Sequence, residues 1–159
     1  MSERGRPSIF DAAGGTAFFE ALAHAWHERC LADPVVSHAF SHGYHPDHDN
    51  RLAAYWAESV GGPDTFSREY GDESAVLRMH AGNGEHVEMD RRAEAAFDGA
   101  LAEVGAPRGT PVGDSLSDYF RWANVRMGAH HGGPDSVPVG QAVPGWSWDG
   151  PVGGATAAK

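Results

Sequence analysis

The sequence contains a single cysteine, Cys30, among its 159 residues. One cysteine cannot form a disulfide within the chain, and it cannot supply the paired cysteines of a small structural zinc site. A chain of this length is typical of one domain and can bury a core without such cross-links. We therefore expect the fold to be held together by side-chain packing.

Long apolar runs and an excess of cations are missing as well. No apolar run approaches the roughly 18 residues of a membrane-spanning helix, and the start, MSERGRPSIF, lacks the apolar core of a signal peptide. The 12 Lys and Arg residues face 22 Asp and Glu residues, which gives a formal net charge of −10. This balance disfavours binding to nucleic acid or to anionic lipid. We expect a cytoplasmic protein with neither as a partner.

The common catalytic motifs are also absent. The sequence has no G-x-S-x-G elbow, no Walker loop and no H-E-x-x-H helix. Cys30 falls on the apolar stripe of its helix, where cysteine usually behaves as a small hydrophobe rather than a nucleophile. Histidine, in contrast, is abundant, with ten in the chain. Six of them lie close together in sequence: His24, His27, His38, His42, His45 and His48.

Apolar residues recur at helical spacing in several segments. Ser8 and Asp11 resemble a capping box for a short helix, and Thr16 is expected to cap a longer one that ends at Asp33-Pro34. Asp47 is expected to cap a third helix, which Gly61-Gly62-Pro63 ends. Its expected apolar face consists of His48, Leu52, Tyr55, Trp56 and Ser59.

The second half of the chain continues this pattern. Short helical turns are expected over residues 64–79, a long helix over 87–104, and a last helix capped by Asp114 or Ser115. No segment alternates with period two, so the sequence predicts an all-α fold. We expect a flexible N-terminus at 1–7, a domain at 8–131 and a Gly/Pro-rich extension at 132–159. The extension is expected to be extended or disordered, except where Trp146 and Trp148 dock on the domain.

His80 lies within the segment LRMHAGNG, ahead of two glycines that are expected to end the helical stretch there. From the residues alone it is a surface residue at a helix end, a metal ligand or a proton carrier. A single neutral imidazole can hold one axial position of a haem iron, and the ring then requires an apolar slot between helices. Aromatic stripes are also typical of an ordinary core. The residues that could line a slot are Phe40, Leu52, Tyr55, Trp56, Ala93 and Phe97.

The order of these segments resembles the truncated haemoglobins. The segments that carry the resemblance are SIFDAAGG, FFEALAHAWHERCLADPVV, RLAAYWAESVGGP, LRMHAGNG, EMDRRAEAAFDGALAEVG and SDYFRWANVRMG. They occur in the family's order over about residues 8–130. The long segment at 64–79 and the Arg-Met pair before His80 resemble group II of the family.

The resemblance implies a globin-like two-over-two helical sandwich around haem b. It implies that His80 is the proximal ligand of a pentacoordinate iron. It also implies that Arg78, which precedes Met79 in the same segment, pairs with a haem propionate. Phe40 matches an aromatic residue that stacks on the haem. The remaining pocket positions implied are Leu52, Tyr55, Trp56, Met79, Ala93 and Phe97.

The distal pocket departs from the family pattern. His27 stands where many members have a tyrosine, Ala93 stands where group II members have a tryptophan, and His48 holds the position of a distal gate. The resemblance implies binding of oxygen or another diatomic gas such as NO or CO, by a monomer or a homodimer.

Two other functions stay open at this point. One is a haem-dependent redox enzyme, a nitric oxide dioxygenase or a peroxidase-like oxidant, with His27 and His48 as catalytic residues and a reductase as a possible partner. The other is a helical interaction domain that has lost the haem. Fold alone does not choose between these functions.

Overall fold

The structure is a computed structural model that describes residues 5–40, 43, 46–80, 87–129 and 133–152. Seven α-helices occupy these residues: α1 (Ile9–Ala13), α2 (Thr16–Ala32), α3 (His48–Ser59), α4 (Thr65–Glu69), α5 (Glu73–His80), α6 (Val87–Glu103) and α7 (Pro111–Met127). Short 3-10 helices lie at Val36–Phe40 and Pro134–Ser136. Two-residue strands, β1 (Trp146–Ser147) and β2 (Gly150–Pro151), pair antiparallel. No helix in the described ranges has the length and apolar character needed to span a membrane.

The predicted all-α class is confirmed, and the helices form the two-over-two sandwich of the truncated globins. The first pair is α2 with α3 and the second is α6 with α7, and α2 also packs on α6. An aromatic cluster, defined by Trp26, Trp56, Phe97 and Phe120, takes one ring from each of these four helices. The Phe97 and Phe120 rings stack at 4.3 Å, and Trp56 meets Phe97 edge-on at 5.1 Å. Such offset and edge-on pairs add to the stability that burial alone provides.

Two predicted helix starts are wrong. Thr16 is the first residue of α2 rather than its cap, which is Gly15. The last helix begins at Pro111, where Thr110 is the N-cap and its hydroxyl accepts from the Gly113 amide at 3.2 Å. Proline suits a first helical position because its missing N–H would have no partner there. Asp114, an expected cap, instead accepts from the side chain of Arg108 at 3.0 Å.

The described part of the C-terminal extension lies against the helices. Trp146 donates to Ser115 Oγ at 3.2 Å, and Trp148 donates to the Pro7 carbonyl at 2.8 Å. Nearer to α5, Ser74 Oγ donates to the Pro138 carbonyl at 2.6 Å, and the Glu73 amide donates to the Gln141 carbonyl at 3.0 Å. The extension therefore contacts the first residues of the helix that carries His80.

A buried carboxylate fixes α5 from the other side. Glu73 is fully buried, at 0 % exposure. Tyr55 Oη donates to its Oε1 at 2.5 Å, and Arg126 Nη2 donates to its Oε2 at 3.0 Å. Burial raises the pKa of Glu73 above its ordinary value, although the bonds from Tyr55 and Arg126 act in the opposite direction. These three residues join the start of α5 to α3 and α7.

Replacement of Glu73 by glutamine should change how stability depends on pH. A carboxyl group whose pKa is raised in the folded state contributes its full stabilisation at pH values below its pKa in the unfolded chain, ordinarily 4.5. That contribution is lost as the pH rises through the pKa of the folded state. The wild type should therefore lose stability relative to Glu73→Gln as pH rises from about 4.5. Urea unfolding at a series of pH values measures this difference, and Glu20→Gln, at an exposed position of α2, serves as control. A difference that is constant, or grows in favour of the wild type, would contradict the prediction.

Candidate functional site

His80 is the last residue of α5, seven residues after the anchored Glu73, and its side chain is exposed. Seven residues correspond to about 10 Å along an α-helix. The Nδ1 atom lies 2.8 Å from the Val76 carbonyl oxygen, one turn back. A carbonyl only accepts hydrogen bonds, so this contact selects the tautomer with the proton on Nδ1. Nε2 then carries the lone pair that binds a metal, which is the usual arrangement of a histidine ligand.

The predicted haem-contacting residues divide into two groups by burial. Tyr55, Trp56, Ala93 and Phe97 are buried, while Phe40, Leu52 and Arg78 are half-buried. Met79, beside His80, is 71 % exposed. The buried residues belong to the walls of the sandwich: Tyr55 holds Glu73, and the Ala93 carbonyl accepts from Trp26 Nε1 at 3.1 Å. Their contact with haem stays a prediction, and the half-exposed apolar residues supply the surface that a flat macrocycle would cover.

The two predicted distal histidines lie side by side. His27, on α2, and His48, the first residue of α3, have ring centroids 4.4 Å apart. Phe40 packs against both rings, with centroid distances of 4.9 Å and 5.4 Å. The structure thus brings together His27 and His48, which the resemblance assigns to the distal side, and Phe40, which the resemblance assigns to an aromatic position that stacks on the haem. We call His27, His48 and Phe40 the distal cluster.

Asp49 joins this cluster to the protein surface. Its Oδ1 lies 2.7 Å from His27 Nδ1, and its Oδ2 lies 3.0 Å from His24 Nδ1. The His27 side chain is only 7 % exposed, whereas that of His24 is 67 % exposed. One carboxylate therefore connects a buried imidazole with an imidazole in solvent.

The electrostatics of this pair follow from the same bonds. Partial burial acts to raise the pKa of Asp49, but the hydrogen bonds from His24 and His27 outweigh it and the pKa lies below its ordinary value. The hydrogen bond to Asp49 raises the pKa of His24. Asp49 is thus an anion in the folded protein at neutral pH.

The sequence analysis assigned no role to Asp49 or to His24. The His24 side chain is exposed, and it is bonded to Asp49. A signal existed, because His24 and His27 are three residues apart and share a helix face. The contact with Asp49 required knowing that α3 begins beside that face.

Haem fits the chemistry of these residues. The His80 imidazole is held at Nδ1 by a neutral carbonyl, as an axial ligand should be, and exposed apolar surface adjoins it at Met79. The distal cluster supplies two imidazoles and an aromatic ring, and the His27 imidazole is held at Nδ1 by the Asp49 carboxylate rather than by a neutral carbonyl.

Comparisons with known proteins identify the family of the chain. The model of the family described as bacterial-like globin matches residues 8–111. The predicted boundary at residue 131 lies beyond this match and stays a prediction. No curated protein matches the chain significantly.

Similar solved structures are bacterial haemoglobins. The haemoglobin of the thermophilic phototrophic bacterium Chloroflexus aurantiacus is 27% identical, with 77% of this chain and 98% of that chain covered and a TM-score of 0.66. The thermostable haemoglobin of the actinobacterium Thermobifida fusca is 23% identical, with 85% and 100% covered and a TM-score of 0.64. The group II truncated haemoglobin of Bacillus anthracis is 14% identical, with 78% and 92% covered and a TM-score of 0.67.

The family match covers well over half of the chain, and the fold and the His80 arrangement agree with it. The chain therefore belongs to the bacterial-like globin family, a family of haem-binding proteins with, in this case, the truncated haemoglobin fold.

Proposed function

We propose that this globin holds haem b through His80 and binds a diatomic gas, oxygen foremost, on the opposite haem face. The observation that carries the proposal is the contact between His80 Nδ1 and the Val76 carbonyl at 2.8 Å. It selects the tautomer whose Nε2 atom can ligate iron, on an exposed ring at the end of an anchored helix. The haem iron, when bound, would supply the coordination position that takes the gas.

The remaining residues of the site bind and orient the cofactor in this proposal. Phe40 and Leu52, both half-buried, offer apolar contact to the ring, and Met79 adds apolar surface next to His80. Arg78 is placed next to the same helix end and serves as the partner of a propionate. Because His80 is the only residue assigned as axial ligand, the resting iron is proposed to be pentacoordinate.

The distal cluster controls the polarity around the gas. When His27 donates its Nδ1 proton to Asp49, Nε2 of the neutral ring is an acceptor and cannot donate to a bound ligand. Only the doubly protonated ring donates from both nitrogens. His48, whose ring centroid lies 4.4 Å from that of His27, is the second imidazole of the cluster and is proposed to line the same side of the haem.

A second function is favoured by the position of Asp49. The Asp49 carboxylate lies 2.7 Å from the buried His27 imidazole and 3.0 Å from the exposed His24 imidazole. Such a series can return a proton from solvent to His27, which a general acid needs after each turnover. The second candidate is thus a haem-dependent redox enzyme, peroxidase-like or a nitric oxide dioxygenase supplied with electrons by a reductase, in which His27 delivers the proton.

Replacement of His80 tests the assigned ligand. Protein expressed with haem supplied should show an intense Soret band, and His80→Ala should lose it or shift it because the iron loses its protein ligand. His80→Gly should regain the wild-type spectrum when imidazole is added, and His38→Ala should leave the spectrum unchanged. A His80→Ala protein with the wild-type ferrous and CO-bound spectra would overturn the assignment.

Replacement of His27 separates the two candidate functions. If His27 acts as a proton donor in turnover, His27→Leu should slow the reaction with hydrogen peroxide by roughly 100-fold or more. If the chain only binds gas, the same variant should leave both the peroxide reaction and the oxygen dissociation rate nearly unchanged, because the neutral His27 ring has no Nε2 proton to donate. Stopped-flow absorption measures both rates, with His38→Leu as control. An unchanged rate with hydrogen peroxide would remove His27 from the enzymatic role.

A further inference from the structure

We infer that the chain carries a second metal site, separate from the haem, for a divalent transition cation of the zinc type. Its ligands are His27, His48 and Asp49, each of which offers a donor atom, and all three atoms lie within 4.8 Å of one another. The inference goes beyond gas binding and does not depend on it, because it rests on the side chains of α2 and α3 alone.

The distances from Asp49 lie on either side of the spacing of such a site. Zinc lies about 2.0–2.2 Å from nitrogen and oxygen ligands, so two ligands of a tetrahedral site are about 3.3 Å apart. Asp49 Oδ1 lies 2.7 Å from His27 Nδ1 and 3.7 Å from His48 Nδ1, one value below this spacing and one above it. All three donor atoms lie within 4.8 Å of one another, so a cation would have to draw the two imidazoles toward itself.

The helices hold these ligands in place. His27 is buried on α2, whereas His48 and Asp49 form the first turn of α3, and these two helices pack together extensively. Phe40 lies against both imidazole rings and restricts their rotation. A site formed by side chains with restricted motion loses little entropy when it binds a metal.

His24 extends the site outward. Its Nδ1 lies 3.0 Å from Asp49 Oδ2, the carboxylate oxygen that does not face His27. A ligating carboxylate usually has such an outer partner, which orients it. His24 is therefore a positioning residue for Asp49, and the exposed face of the site lies on its side.

The donor set selects the class of cation. Two imidazole nitrogens and one carboxylate oxygen suit zinc, copper, nickel or iron, whereas magnesium and calcium prefer sites made of oxygen alone. The formal charge of −10 favours the approach of any cation. Three protein ligands leave one position of a tetrahedral zinc open, which is the pattern of reactive rather than purely structural sites.

The metal and the haem make different demands on the same rings. The imidazole nitrogens that face Asp49 are the Nδ1 atoms of His27 and His48, at 2.7 Å and 3.7 Å, and these are the ligand atoms in this inference. The distal role in gas binding requires Nε2. The two sites can therefore be tested independently in one protein.

Isothermal titration of zinc chloride into the full haem-loaded chain, purified without a polyhistidine tag and treated with chelator, tests the inference. The wild type should bind one zinc ion per chain at this site, and Asp49→Asn and His27→Gln should each remove one equivalent. His24→Gln should weaken the zinc affinity by about 10- to 100-fold, the range for loss of an outer partner. His38→Gln is the matched control and should bind as the wild type does.

Zinc that binds to other histidines of the chain does not obscure the result. The prediction concerns only the difference of one bound zinc ion per chain between the wild type and Asp49→Asn. A wild type that takes up no zinc, or an Asp49→Asn protein that binds it unchanged, would overturn the inference. Helical circular dichroism and the Soret band of each variant show whether it is folded and loaded. A wild-type protein that shows the Soret band but binds no zinc refutes only the second metal site. A wild-type protein that binds zinc but shows no Soret band refutes only the haem function.

Discussion

The buried carboxylate of Glu73 is the constraint on which the position of His80 depends. An unpaired charge at 0 % exposure would be costly, and the bonds from Tyr55 and Arg126 compensate for it. Helix α5 has only eight residues, too few to be stable by itself in water. Its position is therefore imposed by contacts at its first turn, and the location of His80 two turns later follows from them.

The C-terminal segment takes part in the same constraint. Ser74 and the amide of Glu73 bond to the Pro138 and Gln141 carbonyls, and Val137 packs against Leu77 on the next turn. The helix that carries His80 is thus held by α3, by α7 and by a segment that follows α7. A residue that is far from His80 in sequence can therefore influence the position of His80 through this helix.

The two key imidazoles differ in their partners. His80 faces a backbone carbonyl, which supplies a dipole without net charge, whereas His27 faces the carboxylate of Asp49. The first arrangement suits a neutral ligand to a metal, and the second suits either proton transfer or a second cation. In the proposed function, this difference would separate metal ligation by His80 from the chemistry of the distal side.

The sequence predicted those features that local signals determine. The end of α3 at Gly61-Gly62-Pro63 and the extent of α6 were predicted within about a residue, because strong stops and a long apolar stripe mark them. The start of α7 was placed too late, since Thr110-Pro111 was not recognised as a cap followed by a first helical residue.

Other features have no local signal. On α3 the sequence predicted a buried stripe through His48 and Leu52, but these are half-buried, and Ala53 and Ala57 are buried because the helix contacts both α2 and α4. The Glu73–Arg126 pair spans 53 residues, and the partners of Asp49 come from another helix. Such pairs can be identified only once the fold has brought the helices together.

Resonance Raman spectroscopy of the ferrous protein tests the central claim most directly, because it detects the bond between iron and the histidine nitrogen itself. The account predicts an iron–histidine stretching band that shifts when histidine is labelled with ¹⁵N. The band should be absent from His80→Gly and should return, displaced, with added imidazole. A band that persists unchanged in His80→Gly, or a labelled wild-type protein without any such band, would contradict the assignment of His80 as the ligand.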